Sequence, residues 1–197
     1  MKKKPIDYFM EEGEAEEKIR ETLKKISKLP LKDILSYAIK GERDATRLYA
    51  FLYKKIDEPY LKNKFKQFLE TEKSHDEKVS QIFKELFPNE RPTEIHIETW
   101  IKPFEECNCK LDTVRDYLNV LETAMDSERL AKEVYTFLEK QMRDPVHKRI
   151  FLELAEDELE HYKFVKSEYE FYKKIKAEQD FQELLKELLK NRETRDQ

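Results

Sequence analysis

Glu72-Lys73-Ser74-His75 and Glu158-Leu159-Glu160-His161 are the two stretches whose reading decides the fold of this chain. They lie 86 positions apart, and the same offset aligns residues 35–79 with 121–165 without a gap. Sixteen of those 45 positions are identical, against roughly three expected for unrelated chains of average composition. Among the identities are Leu35/Leu121, Ala38/Ala124, Glu42/Glu128, Ala45/Ala131, Tyr49/Tyr135, Leu52/Leu138, Pro59/Pro145, Phe65/Phe151 and Val79/Val165. The chain is a duplicated helical hairpin.

Each repeat reads as two helices. Leu35, Ala38, Glu42, Ala45, Tyr49, Leu52 and Ile56 recur at steps of three and four, which is one continuous helix face. Leu121, Ala124, Glu128, Ala131, Tyr135, Leu138 and Met142 repeat it. Pro59 and Pro145 then punctuate, and Asp144 before Pro145 reads as an N-cap followed by proline at the first helical position. The following helices are expected to bury Phe65, Phe68, Leu69, Glu72, His75 and Val79, and Phe151, Leu154, Ala155, Glu158, His161 and Val165.

Between the repeats, residues 88–111 carry Pro88, Pro92, Pro103 and the Cys107-Asn108-Cys109 stretch. A link of that length reaches up to ~80 Å when extended, enough to run back along a helix ~42 Å long. Two short turns and one long central crossover give an all-α, ferritin-like four-helix bundle. The expected organisation is an N-terminal helical extension over 1–30, the bundle over 31–170 and a C-terminal amphipathic helix over 171–197. Ile19, Leu23, Ile26 and Leu29 mark the first extension, and Phe181, Leu184, Leu185, Leu188 and Leu189 the last.

Composition agrees. The 197 residues include only 2 Gly, too few for barrels, sandwiches, phosphate-cradling loops or Rossmann crossovers. An aromatic content of 12% excludes a solvated disordered chain. The 39 basic and 43 acidic residues interleave to a net charge of −4, with no basic stripe for nucleic acid. No apolar run is long enough to span a membrane, and Met1-Lys2-Lys3-Lys4 leads into acidic sequence rather than a signal region, so a cytoplasmic protein is expected.

Six residues on the apolar faces do not belong in an ordinary core: Glu42, Glu72, His75, Glu128, Glu158 and His161. The three-residue step of each Glu-x-x-His puts carboxylate and imidazole on one helix face. Buried unpaired carboxylates are costly, so four together need a compensating cation. Two divalent ions supply it, each with one Glu and one His while two Glu bridge, and carboxylate with imidazole suits iron, with manganese or zinc as alternatives. A single Glu-x-x-His in a chain this rich in Glu would be surface decoration. The shared offset of all six residues argues otherwise, and leaves as the alternative a duplicated bundle that has lost its metal.

Other residues carry weaker signals. Tyr49 and Tyr135 lie two turns beyond Glu42 and Glu128, placed either to bond carboxylates near the metals, to take part in redox chemistry, or to sit as core tyrosines with satisfied hydroxyls. Asp157, one turn before His161, either orients a ligand imidazole or is a solvated helix-face carboxylate; its repeat counterpart is Thr71. Glu70 and Glu156 point away from the ligand face, and His96 and His147 lack ligand spacing and are expected at the surface. Cys107 and Cys109 are a redox pair, a soft-metal site or incidental loop thiols.

At Ala38 through Ala45, Glu72/His75, Ala124 through Ala131 and Asp157 through His161, the sequence resembles the rubrerythrin family of ferritin-like di-iron proteins, over roughly residues 31–170. The resemblance implies reduction of peroxide or dioxygen at a di-iron centre, in a cytoplasmic homodimer. Two departures stand out. Members of the family carry a rubredoxin module with paired Cys-x-x-Cys motifs, which these residues lack, so an external electron donor such as a rubredoxin is expected. They also carry an extra Glu on the third bundle helix, where Met125 and Ala131 flank Glu128 here. Ferroxidase, oxidase and oxygenase chemistry therefore stand beside peroxide reduction. Two non-enzymatic readings compete: a protein that oxidises and holds iron without turnover, and a helical interaction module that its metals only staple.

Overall fold

A computed structural model describes residues 5–95 and 111–193, with side chains described over 16–95 and 111–187. Among the described residues there are five helices and no strand: α1 (Pro5–Ile26), α2 (Leu31–Lys55), α3 (Pro59–Leu86), α4 (Val114–Gln141) and α5 (Pro145–Glu193). None of them is long and apolar enough to cross a membrane.

The helix starts follow from local chemistry. Asp144 accepts the Val146 N–H at 2.7 Å just ahead of α5. Glu58 does the same for α3, accepting from Tyr60 at 3.1 Å and Leu61 at 2.6 Å. Thr113 and Asp116 cap α4 reciprocally, side chain to backbone in both directions. Each carboxylate or hydroxyl satisfies amide donors that the first turn leaves open.

The hairpins α2–α3 and α4–α5 make the most extensive contacts, α2 packs on α4, and α3 on α5. The pairing is antiparallel. Ile34, Leu35 and Ile39 at the start of α2 share one apolar cluster with Leu130, Val134 and Leu138 toward the end of α4. Tyr49 and Leu52 at the end of α2 share a second cluster with Tyr117, Val120 and Leu121 at the start of α4. α3 ends at the start of α2 and α4 begins at the end of α2, the helix order of a ferritin-like bundle. The first residues beyond α3 run beside α2, where the Thr93 N–H donates to Ser36 Oγ at 2.9 Å. The middle of the crossover, with His96, Pro103, Cys107 and Cys109, lies outside the described residues.

The duplication becomes a pseudo-two-fold arrangement across the bundle. Repeat-equivalent residues fall in opposite clusters: Leu35, Tyr135, Phe151 and Val79 in one, Leu121, Tyr49, Phe65 and Val165 in the other. On every bundle helix the six candidate ligands sit between the two clusters in sequence. The core is two apolar halves with a polar waist.

The terminal elements differ from one another. α1 docks on α4, burying Ile19 and Ile26, and Arg129 of α4 holds Glu16 of α1 at 3.1 Å. The C-terminal stretch from 171 is, through Glu193, no separate helix but the continuation of α5, which runs for 49 residues. No Gly or Pro interrupts residues 165–193, so nothing in the sequence stops it. At 1.5 Å per residue α5 is ~73 Å long, far longer than α4, and its overhang leaves Phe171 and Phe181 exposed.

Candidate metal centre

α2, α3, α4 and α5 bring all six sequence-predicted residues to the waist of the bundle. Glu42, Glu72, His75, Glu128, Glu158 and His161 are all buried, none more than 4% exposed. Their donor atoms form two overlapping groups, Glu42–Glu72–His75–Glu158 and Glu72–Glu128–Glu158–His161, each with one atom per residue within 4.8 Å of the others. Glu72 and Glu158 belong to both groups. Each group has one Glu and one His of its own.

The histidines face across the repeats. His75 Nδ1 lies 3.0 Å from Glu158 Oε1 and 3.4 Å from Glu42 Oε2. His161 Nδ1 lies 2.7 Å from Glu72 Oε1 and 3.7 Å from Glu128 Oε2. These atoms are close but not aligned as hydrogen bonds. Glu42 Oε2, Glu72 Oε1, both oxygens of Glu158 and the Nδ1 atoms of both histidines are buried without a hydrogen-bond partner. Orphaned buried polar atoms are rare in folded proteins, and here they converge on two points. The donor set fits two divalent cations, carboxylate-rich with one imidazole each.

Tyr49 and Tyr135 hold the outer carboxylates. Tyr49 donates its hydroxyl to Glu128 Oε1, and Tyr135 donates to Glu42 Oε1. Both rings are fully buried, and Tyr49 stacks on Phe65 at 6.0 Å as Tyr135 does on Phe151 at 5.9 Å. The bond to carboxylates at the centre is present, and the same bond satisfies the hydroxyl of each core tyrosine. Asp157, 47% exposed on its side chain, reaches His75 Nε2 at 3.2 Å. It is thus both a helix-face carboxylate and a partner of an imidazole, but of the other repeat's imidazole.

Charge in the metal-free cluster is distributed unevenly. Burial, together with the charges of Glu158 and Glu72, pushes the Glu42 carboxyl well above the ordinary range. Burial and Glu158 lift Glu128 to about 8. Burial and a neighbouring carboxylate also press on Glu72 and Glu158, but the imidazoles facing Glu72, and for Glu158 the Glu128 carboxyl together with both imidazoles, prevail and hold both below the usual value. Burial disfavours the imidazolium of His75 and His161, yet the surrounding carboxylates raise both well above an ordinary histidine.

A cavity of about 40 Å³ opens between α2 and α4 against the carboxylates. Ala38, Ala45, Leu130, Ala131 and Val134 form its apolar wall, and Gly41 lies on it with open space where a Cβ would stand. Asp44 also lines it, buried, held by Arg47 at 3.1 Å and Lys40 at 3.4 Å. No sequence signal had marked Asp44. Neither histidine lines the cavity.

The remaining expectations divide. Glu70 and Glu156 are exposed, pointing away as their spacing requires. His147, expected at the surface, is only 8% exposed and bonds Glu85 Oε2 at 2.9 Å. The lone histidine of α5's first turn is a tie to the end of α3, away from both donor groups.

Comparison with known proteins follows the same lines. A sequence model of the rubrerythrin family matches residues 33–169 and, in a second match, 119–195. A solved structure of a hypothetical protein from Pyrococcus furiosus is similar with a TM-score of 0.66 and 28% identity, over 75% of this chain and 94% of that one. No curated protein matches the chain.

Proposed function

Because this chain belongs to the rubrerythrin family, we propose that it is a di-iron oxidoreductase reducing peroxide or dioxygen with electrons from an external donor such as a rubredoxin. Glu42 and His75 would hold one ion and Glu128 and His161 the other, with Glu72 and Glu158 available to both. The observation that carries this reading is the set of buried, unpartnered carboxylate and imidazole atoms meeting in two overlapping groups.

Bound ferrous ions supply one electron each and a Lewis acid for the oxidant. The chain does the rest. Glu72 and Glu158 stand between the two donor groups, and the Tyr49 and Tyr135 hydroxyls fix the orientation of Glu128 and Glu42. The cavity has room for about three waters, at 10–15 Å³ for each, which accommodates a small oxidant such as peroxide or dioxygen. Hydrogen peroxide takes two electrons and two protons and leaves as two waters. Cys107 and Cys109 cannot between them build a rubredoxin-type iron site, which takes four thiolates. The reading therefore assigns repeated turnover to an outside donor.

Stopped-flow absorbance of anaerobically iron-loaded protein tests this. One rapid oxidation on mixing with peroxide or dioxygen is expected, with further cycles only after a reduced rubredoxin is added. An inert diferrous protein would end the oxidoreductase reading. A second reading, iron handling by ferroxidation without turnover, draws support from Met125 and Ala131 flanking Glu128 in place of a seventh carboxylate. It predicts the single oxidation but no donor-dependent cycling.

A further inference from the structure

The duplication makes His75 and His161 equivalent in sequence, but their outer nitrogens have different neighbours. His75 Nε2 meets Asp157 Oδ2 at 3.2 Å. The repeat counterpart of Asp157 is Thr71, whose hydroxyl donates instead to Gln67 O of its own helix at 3.1 Å. Among the described residues no carboxylate meets His161 Nε2. Its ring lies against Phe68, with centroids 4.1 Å apart, and edge-on to Tyr49 at 6.0 Å. One imidazole of the centre is backed by an anion and the other by aromatic rings.

That difference matters through the ring. A carboxylate accepting the outer N–H of an imidazole fixes its tautomer with the inner nitrogen free to ligate, and it raises that nitrogen's basicity. Both inner nitrogens here are the Nδ1 atoms that face the shared carboxylates. Apolar aromatic packing orients a ring but adds no such charge. All other ligands of the two positions match, one Glu held by a tyrosine and two shared Glu.

We propose that Asp157 makes the two metal positions unequal, so that the Glu42–His75 position takes a divalent ion first and more tightly than the Glu128–His161 position. This rests on the two-metal reading above and assigns Asp157 as a positioning residue, outside the ligand set. Outer-shell partners of ligand histidines typically alter metal affinity by about 10–100-fold, and that is the separation expected between the two steps.

Calorimetry of the metal-free full chain with Co²⁺, followed in parallel by the visible absorption of the bound ion, reads the two steps directly. The wild type should fill in two resolved steps. His75→Ala should remove the tighter one and His161→Ala the weaker one. Asp157→Asn, which keeps size and an acceptor oxygen but loses the charge, should weaken the first step alone and bring the two together. Thr71→Asp should strengthen the second step, which a purely structural role for Asp157 would not predict. Two equal steps in the wild type, or loss of the tighter step on His161→Ala, would overturn the asymmetry while leaving the two-metal reading standing. Failure of the wild type to bind any Co²⁺ would overturn both.

Discussion

Tyr49 of the first repeat donates its hydroxyl to Glu128 of the second, and the equivalent Tyr135 returns the bond to Glu42. Each repeat thus orients the outer carboxylate of its partner. The centre is complete only when the two halves pack antiparallel, because that packing carries a residue seven places beyond one Glu to the level of the other.

Tyr49→Phe keeps the stack on Phe65 and removes the donor to a buried carboxyl. Hydrogen bonds to charged groups are worth about 1.5–3 kcal/mol. A loss of that order is expected in denaturant unfolding of the metal-loaded protein, with Tyr135→Phe falling within the same range. A large difference between the two would contradict the pseudo-symmetry of the waist.

Metal removal should bring a pH dependence whose sign follows from the cluster. Glu42 and Glu128 have raised values in the folded, metal-free protein, Glu128 to about 8, so they favour the fold while protonated and oppose it as pH rises above the ordinary carboxylate range. His75 and His161 are raised as well, and their contribution is present below the ordinary histidine value and fades as pH climbs through the folded one. Glu72 and Glu158 are lowered, so their contribution disappears only in acid. The metal-free protein should therefore melt at progressively lower temperature from about pH 5 to pH 9. Added metal, which displaces those protons, should raise Tm most at the alkaline end. Thermal melts with and without chelator across that range measure both trends.

The bridging and outer carboxylates should separate in stoichiometry. Glu72→Ala or Glu158→Ala strikes both donor groups, and bound metal should fall to one ion per chain or fewer. Glu42→Ala strikes one group and should leave the other ion in place. His147→Ala, which breaks only the bond to Glu85, should keep full metal content while losing some stability. Elemental analysis of the purified variants distinguishes these outcomes.

Gly41 sits in the interior of α2 with no positive φ and with open space where a Cβ would stand. Its repeat counterpart is Ser127. Gly41→Ala should therefore stabilise the protein by about 0.5–1 kcal/mol through helix propensity alone. The methyl would enter the open space beside the cavity, and a thermal melt reads the gain.

The fold and the six residues of the waist were legible because the duplication repeats both the apolar faces and the misfit polar residues at one offset. What sequence could not supply is contact between the repeats. An offset pairs Tyr49 with Tyr135 and Asp157 with Thr71 as equivalents, whereas the structure pairs Tyr49 with Glu128 and Asp157 with His75. Those partners are 79 and 82 residues apart and follow from helix packing direction, which periodicity does not encode. His147 looked like surface for the same reason, since its partner Glu85 is 62 residues away. The apolar steps of Phe181, Leu184 and Leu185 suggested a helix of their own, because amphipathic pattern marks a face and not a beginning. Only the lack of Gly and Pro before them told of continuity with α5.

The most direct measurement is an anaerobic titration of chelator-treated protein with ferrous iron, counting ions retained per chain. Two divalent ions held by Glu42, Glu72, His75, Glu128, Glu158 and His161 is the central claim, and an endpoint of two per chain is the predicted result. An endpoint near zero, or one unchanged by Glu72→Ala together with Glu158→Ala, would contradict it.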